Sequence, residues 1–402
     1  MSEKLIYLDY NATTPCDPRV VEAMLPWFTD NPGNAASRSH PAGWKAEEAV
    51  KIAREAVADL IDAAPEEIVF TSGATEAVNL ALKGVFEAYI SKGRHIVTLA
   101  TEHKAVLDTC RHLEKMGAEV TYLPVQPDGL LDLEILKSAI RPDTILVAVM
   151  WANNETGVIQ DMEAIGKICA EKETLLFSDA TQAAGKIEIN PRQAGVHLMA
   201  FSAHKMYGPK GVGALYVSRR DPRVKIIAQI DGGGHERGMR SGTLNVPGIA
   251  GFGKAAQIAK MEMPQDAARL LALRNLLEAS ILKNVESVFV NGNRERRLAH
   301  VSNLAFKFVE SESLMMSFNR NLAVASGSAC TSASLEPSHV LLAMGLSDHL
   351  AHASIRFSLG KYTTEAEIQF VIETVKAGVE HLRSLSPVWE MYKEGVDVDA
   401  LL

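Results

Sequence analysis

Two stretches decide how this sequence is read: Leu175-Leu176-Phe177-Ser178-Asp179-Ala180-Thr181-Gln182 and Leu198-Met199-Ala200-Phe201-Ser202-Ala203-His204-Lys205. Each is a short apolar β-type run that ends in a polar turn. Similar runs occur at residues 68–70, 96–99, 120–123, 145–149 and 213–217. Helical stretches such as 104–116 and 162–173 lie between several of them, and residues 47–61 place Val50, Ala53, Val57, Leu60 and Ile61 on one helical face. Seven strands alternating with helices predict an α/β fold, with a mostly parallel seven-stranded sheet covered on both faces.

Past residue 262 the pattern changes. A long helical stretch at 267–282 leads to strands near 288 and at 302–308, a helix near 313, and strands near 322 and 355. A final helix at 364–385 carries Ile368, Val371, Val375, Val379 and Leu382 as a core-facing stripe. This is the pattern of a smaller α+β domain.

Composition narrows the function classes. The 402 residues are 47% apolar and 22% charged, with 41 Lys+Arg against 49 Asp+Glu and a net charge of −8. Such a chain buries a large core without disulfides or structural metals, and it lacks the basic face that neutralises nucleic-acid phosphates. Its longest apolar run, residues 145–152, is too short to span a bilayer, and residues 1–15 lack a signal-peptide pattern. A soluble, cytoplasmic protein is expected. The four cysteines, Cys16, Cys110, Cys169 and Cys330, form no Cys-x-x-Cys pair. Reduced thiols are therefore expected, the first three as packing residues.

Four constellations carry chemistry. Phe70-Thr71-Ser72-Gly73-Ala74-Thr75-Glu76-Ala77 reads as strand, small-residue turn and helix start, where unpaired backbone N–H groups hold a phosphate or an ordinary β-α turn binds nothing. Asp179 and Lys205 follow the carboxyl ends of two strands, where functional groups of open α/β sheets gather. They fit an ion pair, and they equally fit pyridoxal phosphate, which needs a Lys for its Schiff base and an acid at its pyridine nitrogen. Cys330 sits in a small, polar, Gly-containing stretch, residues 326–337, that suits an accessible thiolate better than a packing residue. The Gly-rich stretch 231–243, with His235, Arg237, Arg240 and Thr243, is either a flexible loop or a source of anion-binding donors.

Together these residues resemble the group I cysteine desulfurases, pyridoxal-phosphate enzymes of the class V aminotransferase family. Tyr7-Leu8-Asp9-Tyr10-Asn11-Ala12-Thr13-Thr14-Pro15, Thr101-Glu102-His103, Asn153-Asn154-Glu155, residues 178–182, His204-Lys205, residues 235–243 and residues 326–337 match in order, and the likeness runs on to residue 395. The Cys330 segment and the tail are most similar to those of the housekeeping iron-sulfur assembly desulfurases. The resemblance implies fold type I, with a large cofactor-binding domain at 15–262. Residues 1–14 and 263–402 would form the small domain that carries the Cys330 loop.

It also implies roles. Lys205 would carry the cofactor, Asp179 would pair with its ring nitrogen, and His103 would stack on the ring and move protons. Gln182 would meet the ring hydroxyl, and Asn154 would hold ring or substrate. Ala74, Thr75, Ser202 and His204 would bind the phosphate. Thr243 would reach in from a second subunit, making a homodimer. Arg356 would clamp the carboxylate of L-cysteine, a task for a planar bidentate donor, with Asn34 a further substrate-side candidate. Cys330 would take the sulfur as a persulfide and pass it to an iron-sulfur scaffold protein and other acceptors, for cluster assembly and tRNA thiolation. The same thiol would be shared with a 2Fe-2S cluster on the scaffold, with no other metal implied.

The sequence departs from the family at Met150-Trp151-Ala152, where a His-containing stretch is frequent, at Thr156, where Ile is common, and in the tail at 397–402. Two rivals remain at this level. An ordinary aminotransferase or lyase would share Lys205 and Asp179 but has no use for Cys330 in a loop. A non-enzymatic sulfur or metal carrier would be colourless.

Overall fold

The structure is a computed structural model that describes residues 5–220, 222–326 and 336–398. After a short strand β1 (Ile6–Tyr7) come β2 (Ile68–Thr71), β3 (His95–Leu99), β4 (Glu119–Leu123), β5 (Thr144–Ala148), β6 (Leu175–Asp179), β7 (Leu198–Ser202) and β8 (Gly213–Val217). Strands β2 to β8 form one seven-stranded sheet in the order β2-β8-β7-β6-β5-β3-β4. Neighbours pair in parallel from β7 across to β4, and β8 alone runs antiparallel to both of its neighbours.

Burial explains the apolar runs. Every residue of β2, β3 and β5 to β8 is buried, whereas in β4, at the edge, only Leu123 is. Side chains alternate between faces. Met199 and Phe201 join the core under the helices Pro41–Leu60 and Met162–Glu171, while Leu198 and Ala200 join the core under Ala74–Tyr89 and Lys104–Lys115. Each large side chain buried this way contributes roughly 1.5–3 kcal/mol. The first of these helices begins earlier than its apolar stripe, because Pro41 stands in its first turn and His40 Nδ1 accepts from Gly43 N at 3.2 Å.

The stretch expected as a helix at 267–282 is the second half of a single helix, Val246–Asn284, with Pro264 inside it. Its first half places Ile249, Phe252 and Ala256 in the core of the large sheet; its second half places Leu270, Leu273, Leu277 and Ile281 in a separate core. The change of pattern near residue 262 therefore marks a change of packing partner within one helix.

That second core lies against β9 (Val288–Val290), β10 (Val301–Phe306), β11 (Leu322–Ala323), β12 (Ala325–Ser326) and β13 (Ser354–Ser358). An antiparallel sheet runs β12-β13-β10-β9, and β1 pairs in parallel with β11. β10 stops short of residue 308 because Phe308 takes a left-handed φ of 70° and turns the chain. The helix Glu365–Ser384 starts at a capping box between Thr364 and Glu367, and buries Ile368, Val371, Val375 and Val379. No helix among the described residues is long and apolar enough to cross a membrane. Cys110 and Cys169 are free and buried, and burial pushes both thiols up to about 12, which leaves them inert.

Candidate active site

The carboxyl ends of β2, β3, β5, β6 and β7 open onto one cavity of about 520 Å³. Ala74, Thr75, His103, Asn154, Asp179, Gln182, Ser202, His204, Lys205 and Arg356 all line it. Ten residues spread over most of the chain are thus brought together, nine by the sheet edge and Arg356 by β13.

At one end stands the N-terminus of helix Ala74–Tyr89, whose N-cap is Gly73 and has no side chain to satisfy the first-turn N–H groups. They open onto the cavity beside Ser202 and His204. A Cβ on Gly213, at the start of β8, would stand 2.7 Å from the Gly73 backbone, so the turn and β8 come this close only because residue 213 has none. The His204 ring is pushed down to about 4 by burial first and then by Lys205, Lys210 and Lys186, and is neutral at pH 7. Its Nδ1 lies 3.1 Å from Thr13 Oγ1.

Lys205 follows β7 and donates from Nζ to the carbonyls of Asn11 at 2.6 Å and Ala12 at 2.7 Å. Asp179 ends β6, and its Oδ1 accepts from Thr181 N at 2.9 Å. His103 caps the helix Lys104–Lys115, with Nδ1 accepting from Ala105 N at 3.1 Å. With Nδ1 accepting, Nε2 is the ring nitrogen that carries a proton.

Arg356 enters from the small sheet. It donates to Asp9 Oδ1 at 2.6 Å and to the Asn154 carbonyl at 2.9 Å, and its Nε is buried without a partner among the described residues. A guanidinium has five N–H donors, so two hydrogen bonds hold the fork while three donors remain for a carboxylate.

Two buried acids flank these groups. Glu102 accepts from Met150 N at 2.6 Å, and burial pushes its carboxyl well above the usual range. Glu155 is pushed up to about 7 by burial against the opposing effect of a hydrogen bond from Ser338 Oγ.

Cys330 lies outside the described residues. Thr243 and Asn34 are exposed and line no part of this cavity in the single chain; Asn34 Oδ1 caps its own turn through Ala36 N at 2.9 Å. In the Gly-rich stretch, Arg240 is held by Glu76 at 2.7 Å and Arg237 by the Ile68 carbonyl at 2.5 Å, so both guanidiniums serve neighbouring elements. Sequence reading missed Asn11 and Ala12 as the seat of Lys205, and Glu155 as the anchor of Ser338. Asn11 stood in a stretch matched to the family, but nothing in its local pattern points to a lysine at position 205.

The comparisons with known proteins agree with this geometry. The profile of the family described as aminotransferase class-V matches residues 6–371. The chain belongs to the class-V aminotransferases. Within that family it stands among the group I cysteine desulfurases. It is 58% identical over 396 residues to the cysteine desulfurase IscS of Methylococcus capsulatus and 59% identical over 398 residues to that of Haemophilus influenzae, with 98% of each chain covered in both cases. A solved NifS-like protein superposes with a TM-score of 0.87 at 37% identity, covering 94% of this chain and all of that one.

Class-V enzymes work with pyridoxal phosphate, and the donor set here fits that group. A reactive amine, an acid to hold a ring nitrogen, and an uncapped helix N-terminus for a phosphate share one cavity. Lys205, Asp179, His103 and Gln182 would hold the ring, and the first turn of Ala74–Tyr89, with Ser202 and His204, its phosphate. Among the described residues no group of three His, Cys, Asp or Glu stands where it could hold a metal ion.

Proposed function

We infer that this chain is a pyridoxal-phosphate-dependent cysteine desulfurase that converts L-cysteine to L-alanine and passes the sulfur on for iron-sulfur cluster assembly. The observation that carries this is the convergence of Lys205, Asp179 and the helix N-terminus at Ala74 on one cavity faced by Arg356. When bound, pyridoxal phosphate supplies an electron sink for the pair left on the substrate's α-carbon. Lys205 Nζ is the attachment point for that group and the base that takes the α-proton. Arg356 binds the substrate carboxylate through the donors that Asp9 and Asn154 leave unused. His103, protonated on Nε2, is placed to pass a proton along the same cavity wall.

Cys330 is the nucleophile of this reading. Its thiolate forms an S–S bond with the substrate sulfur as the C–S bond breaks; that bond's electron pair stays with carbon, which takes up a proton and leaves as alanine. The sulfur remains as a persulfide, carried to an iron-sulfur scaffold protein and to other acceptors, with tRNA thiolation a second destination. The working unit is a cytoplasmic homodimer in which Thr243 of each chain completes the other's site.

Incubation with L-cysteine, followed by mass spectrometry, tests this. Equimolar alanine and a 32-dalton sulfur adduct on Cys330 are expected at about one sulfur per chain. Cys330→Ser should keep the coloured cofactor and release no alanine; normal alanine release by that variant sinks the nucleophile assignment.

A further inference from the structure

We propose that Lys186 is a positioning residue of this active site, holding the Gln182 amide from behind so that Gln182 and the Asn11 carbonyl together set the seat of Lys205. The proposal rests on the reading of the cavity as a pyridoxal-phosphate site. Lys186 stands four residues after Gln182 on the turn that follows β6 and does not line the main cavity. Its Nζ donates to Gln182 Oε1 at 2.6 Å. The other end of the same amide, Nε2, donates to the Asn11 carbonyl at 2.9 Å, and that carbonyl also accepts from Lys205 Nζ at 2.6 Å. One continuous chain of hydrogen bonds thus joins the two amines.

Donor and acceptor chemistry fixes the sense of this chain. A backbone carbonyl accepts and cannot donate, so the Asn11 carbonyl must meet the amide NH₂, and the amide oxygen is left to accept from the Lys186 amine. The Asn11 carbonyl thus dictates an orientation in which Gln182 offers N–H and not oxygen toward the Lys205 side. Asn11 is held on its own account, with Nδ2 donating to the Asn154 carbonyl at 3.0 Å and Oδ1 lying 2.8 Å from His300 Nε2.

Lys186 faces a second, small cavity of about 40 Å³ shared with Tyr10, Tyr207, Asp266 and His300. The charged groups that act on it are Lys205 and Arg356. Burial, reinforced by those two cations, disfavours its charged form, and burial first of all keeps His300 neutral as well. Among the described residues, the hydrogen bond that its Nζ makes is the one to the Gln182 oxygen.

The test is a pH titration of the visible absorption of the holoenzyme. Lys186→Met should move the midpoint up by about half a unit to one unit, the effect of losing the hydrogen bond that fixes the Gln182 amide. Gln182→Leu should move it by a similar amount, and the double variant should add nothing, because the two act through one contact. An unshifted midpoint in Lys186→Met, even with a lowered Tm, overturns the proposal, as does full additivity in the double variant. If Lys186→Met does not fold, Lys186→Ala is read in the same way. A wild-type protein with no visible cofactor band refutes the cofactor reading itself, which separates the two failures.

Discussion

The two walls of the cavity are built differently. One is the edge of the parallel sheet, where Asp179, Ser202 and Lys205 follow directly from apolar strands and the Ala74 helix begins after β2. Every strand beneath it is buried on both faces, so the polar groups at its edge are positioned by a close-packed layer. The other wall joins Asn11 to Thr13 with Arg356, segments nearly the whole chain apart, through Arg356–Asp9 at 2.6 Å and the hydrogen bond from Asn11 N to Ser358 Oγ at 3.0 Å. The sheet wall holds chemistry on rigid elements, whereas the second wall holds it by polar contacts between distant segments. Lys205 lies where they meet, carried by the first and seated by the second.

That contrast can be broken from either side. Lys205→Ala should lower kcat for L-cysteine about 10³-fold or more. Borohydride reduction and peptide mapping should then place the cofactor on Lys205 in the wild type and nowhere in the variant. On the second wall, Arg356→Lys should raise KM for L-cysteine roughly 10- to 100-fold with a smaller change in kcat, because a lysine keeps the charge and loses the fork.

Glu155 sharpens the comparison through pH. Its carboxyl, ordinarily near 4.5, is raised to about 7, so between those values the folded chain binds more protons than the unfolded one and stability falls as pH rises. Glu155→Gln should remove that component, leaving the variant about 2 kcal/mol less sensitive to the change from about pH 5 to about pH 7 in urea titrations. The smallest effect is expected at the rigid wall's turn. Gly213→Ala forces a Cβ to within 2.7 Å of the Gly73 backbone and should cost about 1–2 kcal/mol of stability, while weakening phosphate retention measured by cofactor release.

The sheet wall was largely legible in the sequence. Runs such as Leu198–Ser202 are contiguous, their apolar character reports burial on two faces, and the polar residue at each end falls at the sheet edge by construction. The boundaries that slipped did so for local reasons, such as the turn at Phe308 and the helix that continues past Pro264. The family likeness added Arg356 and His103, which no periodicity singles out.

Sequence by itself therefore determined the α/β class, the Asp179 and Lys205 pair and the helix start at Ala74, because strand burial and turn chemistry are properties of neighbouring residues. Only the tertiary structure decided that the carbonyls of Asn11 and Ala12 seat Lys205, that Arg240 and Arg237 are engaged elsewhere, and that Lys186 backs Gln182. Those contacts depend on where a hydrogen-bond acceptor from one end of the chain meets a donor from its middle, and such a meeting leaves no local pattern to read.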